Sequence, residues 1–253
     1  MFRYLIIILF VTLFFIASLP LLLYILRKAK KDPEGASLFT QHVLCRIADA
    51  IVWLSGAEVQ YEGLEHIKKD GPALYVGNHR SLFDPLILYS LVCGGSSRVG
   101  FIAKKEWQDL PVVNRWLGLA NVLYLDRKNL KEGLKTILEA ISLVKGGCSM
   151  IIYPEGTRGK SADEKELLPF HDGSFKIAKK AGCPVIPVVV SNTSSIFEDH
   201  KPFVKKSRVK IRICPSVSLD ELSEEAQKHP GAYFMDYFRT QLSGMEQNSC
   251  QEP

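Results

Sequence analysis

The run Gly77-Asn-His-Arg-Ser-Leu-Phe-Asp84-Pro85 places an imidazole and a carboxylate five residues apart. On one helix His79 and Asp84 would lie about 140° apart, on different faces. They meet only if the chain turns between them. The neighbouring residues supply such a turn. Ala73–Val76 reads as a short apolar strand ending at Gly77, and Asp84 followed by Pro85 reads as the N-cap and first position of a helix over Pro85–Val92. His79 then leaves a strand end and Asp84 faces it from the helix mouth. A carboxylate that holds one ring nitrogen sets the tautomer and leaves the other nitrogen free as a base. An imidazole, with an ordinary pKa of about 6.5, suits that task at neutral pH. The plainer alternative is a helix cap beside an ordinary loop histidine.

A second cluster, Tyr153-Pro-Glu-Gly-Thr-Arg-Gly159, directly follows a strand-like stretch, Ser149–Tyr153. Gly156 and Gly159 let backbone approach a ligand closely. Arg158 offers a fork suited to phosphate, and Thr157 adds a neutral donor. Glu155 would repel phosphate if it pointed inward, so it is expected to orient Arg158 or meet a ligand hydroxyl. The plainer alternative is a surface turn with a salt bridge. Lys104-Lys105, Asp126-Arg127 and Lys176 are scattered cations. Several follow or flank strand-like segments and could converge on one anion.

Other chemistries lack their signatures. There is no Gly-x-Ser-x-Gly elbow for a nucleophilic serine and no phosphate-loop or dinucleotide fingerprint. His79, Asp84, Glu155 and His171 have no recognised metal-ligand spacing, so neither a metal nor a resident cofactor is expected. The six cysteines sit mostly in apolar stretches without Cys-x-x-Cys pairing, as buried reduced thiols do.

The elements that must hold these clusters alternate. Residues 38–54 carry apolar positions at helical spacing, with Gly56 as the stop. Arg98–Ala103, Ala120–Leu125 and Val185–Val190 read as strands. Asn129 caps a helix whose apolar face is Leu130, Leu134, Ile137, Leu138, Ile141 and Val144, closed by Gly146-Gly147. Ser174–Ala181 is a helix ended by Gly182. Val209, Ile211 and Ile213 alternate with cations, as on a sheet with one wet face. The last helix spans about Ala232–Leu242. Such alternation predicts an α/β domain with a mixed, largely parallel sheet flanked by helices, its ligands bound at strand ends.

Tyr4–Leu26 is an uncharged apolar run of 23 residues, long enough as a helix to cross a bilayer. It predicts a membrane helix ahead of the domain. Pro20 could kink it into a re-entrant or monotopic anchor. Residues 1–31 hold Arg3, Arg27, Lys28, Lys30 and Lys31 and no acid, while the other 222 residues carry 27 basic and 27 acidic side chains. The excess charge thus sits beside the apolar run, which points to a membrane surface and away from nucleic acid. Four of those cations follow the run, which places the main domain on the cytoplasmic side. The chain divides into an anchor and basic linker over residues 1–35, a catalytic domain over 36–243 and a polar tail over 244–253.

Taken together, four blocks resemble the lysophosphatidic acid (1-acyl-glycerol-3-phosphate) acyltransferase family. They are Asn78-His79-Arg80-Ser81-Leu82-Phe83-Asp84, Val122-Leu-Tyr-Leu-Asp126-Arg127, Tyr153-Pro-Glu-Gly-Thr-Arg158 and Pro184-Val-Ile-Pro-Val-Val-Val190. The resemblance covers roughly residues 60–215. Leu125, where many members have isoleucine, is its one departure. The resemblance implies transfer of an acyl group from acyl-CoA or acyl-carrier protein to the sn-2 hydroxyl of 1-acyl-glycerol-3-phosphate, giving phosphatidic acid. His79 and Asp84 would be catalytic, with amides near their turn stabilising the oxyanion. Lys105, Arg127, Glu155, Gly156, Thr157 and Arg158 would hold the acceptor phosphate. Glycerol 3-phosphate or another lysophospholipid is the alternative acceptor. A non-catalytic protein that binds anionic lipids is the more remote reading, because it leaves both clusters idle.

Overall fold

The structure is a computed structural model that describes residues 2–94, 98–126 and 129–249. Nine α-helices and seven strands are found among them. In chain order they are α1 (Phe2–Ala17), α2 (Leu19–Ala29), α3 (Pro33–Ser55), β1 (Glu58–Glu62), β2 (Leu74–Gly77), α4 (Asp84–Cys93), β3 (Val99–Lys104), α5 (Pro111–Leu119), β4 (Leu123–Leu125), α6 (Leu130–Lys145), β5 (Ser149–Ile152), α7 (Asp172–Ala181), β6 (Val185–Ser191), β7 (Arg208–Ile213), α8 (Glu224–Lys228) and α9 (Pro230–Ser249). The seven strands form one sheet in the order β1-β7-β6-β2-β5-β3-β4. All neighbours are parallel except β6 and β7. The mixed, largely parallel sheet flanked by helices is therefore present.

Helices cover both faces of the sheet, which is why its central strands are continuous apolar runs. On one face Tyr75, Ile151 and Ile186 pack with Ile87 and Leu88 of α4. On the other, Leu74, Val76, Met150 and Ile152 meet Val144 of α6, Phe175 of α7 and Phe234 and Phe238 of α9. Fully burying such a side chain is worth about 1.5–3 kcal/mol. The strand ends that carry the two chemical clusters thus stand on wholly buried strands, β2 and β5.

Two segments escaped the sequence pattern. β1, Glu-Val-Gln-Tyr-Glu, has no apolar run because it is an edge strand. It pairs in parallel with β7, and its acids meet that strand's arginines, Glu62 with Arg212 at 2.7 Å and Glu58 with Arg208 at 3.1 Å. α5 was not anticipated either; its Trp116 is fully buried against α2 and α3.

Several boundaries are corrected. α3 begins before residue 36: Asp32 accepts a hydrogen bond from Gly35 N at 2.9 Å and caps the helix, which starts at Pro33. At the other end α3 stops at Gly56, whose φ of 73° a side chain would strain. α9 continues to Ser249, so most of the stretch read as a polar tail is helical. In α6, Leu130, Leu134 and Leu138 are exposed, while Thr136, Ala140 and Val144 face inward. That helix lies over β4, the edge strand, and presents a narrower buried face than a central position would demand.

The N-terminal run is not one helix. α1 and α2 meet at an angle of 53°, and among the described residues no single helix is long and apolar enough to cross a membrane. The break is at Ser18, and Pro20 is the second residue of α2. Pro20 has no N–H to donate to the preceding turn, so the helical ladder is interrupted there. Leu22 and Ile25 are buried on Trp116, while Leu5, Ile8, Leu9, Leu13, Ile16, Leu19 and Leu23 remain exposed.

Candidate active site

β2 ends at Gly77, and the chain then passes into a tight loop. Gly77 is required there because a Cβ would come within 2.8 Å of the Tyr153 ring. Asn78 is fully buried and extends the β2–β6 ladder with its side chain. Its amide donates to Val190 O at 2.9 Å, and its carbonyl accepts from Val190 N at 2.8 Å. This double bond to a central strand sets where His79 begins.

His79 lies half-buried over Tyr153, the ring centroids 4.4 Å apart and the planes 26° from parallel. Its Nδ1 donates to Asp84 Oδ2 at 2.9 Å. Asp84 is wholly buried. The same oxygen also accepts from Arg80 N at 2.6 Å and Ser81 N at 2.7 Å. An ionised acceptor on Nδ1 makes that nitrogen the N–H tautomer and leaves Nε2 as the basic atom. The helix-cap assignment for Asp84 is corrected in detail. Phe83 holds the N-cap position, and Asp84 turns its carboxylate back onto the loop, away from the first amides of α4.

The second cluster folds around the backbone of His79. Tyr153–Gly156 makes a turn closed by Gly156 N to Tyr153 O at 3.0 Å, with Gly156 at a φ of 72°. Glu155 is buried and accepts from His79 N at 2.7 Å and from Leu168 N at 3.0 Å. Burial pushes its carboxyl above the ordinary range, against the pull of those two amides. Gly159 N donates to His79 O at 2.8 Å. Glu155 thus spends one oxygen on the peptide of His79 and the other on that of Leu168. Thr157 is exposed at the rim. Arg158 is partly exposed, and its Nη1 donates to Glu198 Oε1 at 2.6 Å.

Every backbone N–H from His79 to Asp84 has an acceptor within the protein. After the three already described, Leu82 N meets Glu198 Oε1 at 3.0 Å, Phe83 N meets Ser81 Oγ at 3.1 Å, and Asp84 N meets Ser81 O at 3.4 Å. The amides of His79–Asp84 are thus already used to shape the turn. Arg80 beside them is buried and donates from Nη2 to Ser161 O at 2.5 Å.

Of the basic residues expected to converge, Lys104 and Lys105 lie at the end of β3. Lys105 follows β3, whose Lys104 is aligned with Leu125 of β4. Its ammonium meets Asp126 at 2.7 Å in an exposed ion pair, a bond that raises its pKa. Arg127 lies outside the described residues. Lys176 is on the exposed side of α7.

The sequence reading missed two members of this site. Tyr153 was quoted only as part of its block, and its stacking on His79 has no local signal. Glu198 stands in no motif at all and reaches the site from 40 residues beyond Arg158.

The acyltransferase family model matches residues 58–191. A 1-acyl-sn-glycerol-3-phosphate acyltransferase of Borreliella burgdorferi is 31% identical over 174 residues, covering 68% of this chain and 67% of that protein. The enzyme of that name from Cocos nucifera is 31% identical, covering 71% of this chain and 56% of its own length. That of Saccharomyces cerevisiae is 29% identical, covering 67% and 55%. The chain thus spans little more than half the length of the last two relatives. The crystal structure of the 1-acyl-sn-glycerophosphate (LPA) acyltransferase PlsC from Thermotoga maritima superposes with a TM-score of 0.75 over 96% of this chain and 95% of its own. At 24% identity that likeness speaks for the fold.

Proposed function

Because the chain belongs to the acyltransferase family, we propose that it esterifies the sn-2 hydroxyl of 1-acyl-glycerol-3-phosphate with a fatty acyl group from a thioester. The observation that carries this reading is the His79–Asp84 pair: a half-buried imidazole held at Nδ1 by a wholly buried carboxylate, 2.9 Å away. Nε2 is the one ring nitrogen left to take a proton.

In this mechanism Nε2 of His79 removes the proton of the acceptor hydroxyl. The oxygen attacks the thioester carbonyl carbon directly, forming the ester C–O bond. The C–S bond breaks, and the leaving thiolate recovers the proton from the imidazolium. Asp84 stabilises that imidazolium and keeps the ring oriented. No covalent acyl-enzyme is required, in keeping with the lack of a serine elbow. Arg158 and Thr157, at the rim beside His79's loop, are proposed to hold the acceptor phosphate, with Lys105 approaching from the β3 end and Arg127 as a further candidate. Acyl-CoA and acyl-carrier protein both present the needed thioester.

We further propose that the bent α1–α2 pair embeds its exposed apolar residues in the bilayer surface, with the basic residues in and after the last turn of α2 facing anionic headgroups on the cytoplasmic side. A lipid acceptor is then met in the plane where it resides.

Purified protein given lysophosphatidic acid in anionic vesicles and oleoyl-CoA should release free thiol. His79→Ala should lower that rate by about a thousandfold or more while still floating with the vesicles. Thiol release that is indifferent to His79→Ala would end the mechanism. Faster release with glycerol 3-phosphate or another lysophospholipid would reassign the acceptor. Protein that stays behind when vesicles float would end the anchoring proposal.

A further inference from the structure

Glu198 lies in none of the four blocks, yet its carboxylate is the meeting point of the two chemical loops. It follows β6 in the second of two short 3-10 turns, Thr193–Ile196 and Glu198–His200. Its side chain is only 12% exposed. Oε2 accepts from Ser81 Oγ at 2.6 Å. Oε1 accepts from Leu82 N at 3.0 Å and from Arg158 Nη1 at 2.6 Å. One carboxylate therefore joins the loop of the base to the side chain best suited to a phosphate.

Its own backbone is secured from behind. Phe197 stacks on Tyr4 of α1 with centroids 5.7 Å apart and planes 11° from parallel. Lys201 lies 5.7 Å from the centre of the Phe197 ring. Ser194 Oγ donates to the neighbouring Asp199 at 2.9 Å. A single long side chain with so many fixed partners keeps little rotamer freedom.

An arginine presents five donors in a planar fork, and Glu198 engages one nitrogen of it. The other donors of a guanidinium held in this way have a set direction, and the direction is referred to the loop of His79. A substrate anchored at its phosphate reacts well only if its hydroxyl falls within hydrogen-bond reach of the base, and small misplacements cost large factors in rate. We propose that Glu198 is a positioning residue that fixes Arg158 relative to His79, so that the acceptor's phosphate and hydroxyl register with the clamp and the base. This rests on the acyl-transfer reading above.

The test uses the full chain in detergent micelles, with lysophosphatidic acid and oleoyl-CoA varied independently. Glu198→Ala should raise the KM for lysophosphatidic acid about tenfold or more, with the KM for oleoyl-CoA changed less than about twofold. Glu198→Gln should recover most of the loss, since its amide can still bond Leu82 N, Ser81 Oγ and Arg158. In the acceptor KM, combining Glu198→Ala with Arg158→Ala should be no worse than Arg158→Ala alone, within about twofold, because Glu198 acts on the phosphate only through its bond to Arg158. A general structural defect would move both KM values and kcat together and would add to Arg158→Ala; either result overturns the proposal. So does a Gln variant no better than the Ala variant. If Glu198→Ala does not fold by thermal melt, the Gln variant carries the same cycle, its smaller acceptor effect again absent in the Arg158→Ala background. A wild-type protein that releases no thiol with any acceptor overturns the parent reading and this inference together, whereas an active wild type with an unaffected Glu198→Ala overturns this inference alone.

Discussion

The ends of β2 and β5 differ from the ends of β3 and β4, although all four strands are parallel neighbours in one sheet. At the first pair, three carboxylates, Asp84, Glu155 and Glu198, spend their oxygens on the backbone and side chains of a six-residue loop. At the second pair, Lys105 and Asp126 form an exposed ion pair at the rim, and Asp126 also accepts from Asn129 N at 3.2 Å. The difference is one of tolerance. A base must be held within a fraction of an ångström of its hydroxyl, whereas a long-range contribution to binding an anion needs only charge at the rim. Water screens an exposed pair, so it contributes little to stability and can be rearranged by a ligand. A buried carboxylate bonded to several amides cannot be moved without leaving those amides unsatisfied.

The sharpest way to break the comparison is Asp84→Asn. The amide oxygen can still accept from His79, Arg80 and Ser81, so the loop should persist, while the charge that stabilises the imidazolium is lost. We expect kcat to fall by about 10³-fold with little change in either KM. A loss below tenfold would mean that the carboxylate only shapes the loop.

Glu155→Gln comes next. One of its two amide partners, His79 N or Leu168 N, then faces an NH2 group. We expect kcat to fall about tenfold to a hundredfold. A pH signature accompanies it. The folded carboxyl is raised above its ordinary 4.5, chiefly by burial. The folded state therefore binds this proton more tightly than the unfolded one. The group's contribution to stability is fully present below about 4.5 and is lost as pH rises through the folded value. Wild-type thermal stability should gain over Glu155→Gln as pH is lowered into that window; a constant difference across it would show that Glu155 is not the group responsible.

Lys105→Ala should have the smallest effect, an increase of about threefold or less in the acceptor KM that shrinks further in high salt, with kcat unchanged. A loss approaching that of Asp84→Asn would erase the distinction between the braced loop and the open rim.

Much of this molecule was legible in its sequence because the relevant physics is local. Alternating apolar segments with glycine stops predicted the layered sheet, since each strand and helix has its own periodicity. The histidine and aspartate were found because a strand end, a polar loop and a proline-started helix are adjacent in the chain. Their hydrogen bond spans only five residues. Asn129 and Gly56 likewise acted as cap and stop from identity alone.

What remained was decided by contacts between distant residues. The use of Glu155 on the His79 peptide, of Asn78 on β6 and of Glu198 on both loops depends on partners 76, 112 and 117 residues away. No spacing rule reaches that far. The kink between α1 and α2 was foreshadowed by Pro20, but its direction depends on Leu22 and Ile25 finding Trp116, a residue of a helix that sequence reasoning did not anticipate. Residue types and their neighbours determined which groups could do chemistry. Only the packed sheet, by bringing the ends of β2, β5 and β6 side by side, determined which distant carboxylates, Glu155 and Glu198, hold the loop of the imidazole in place.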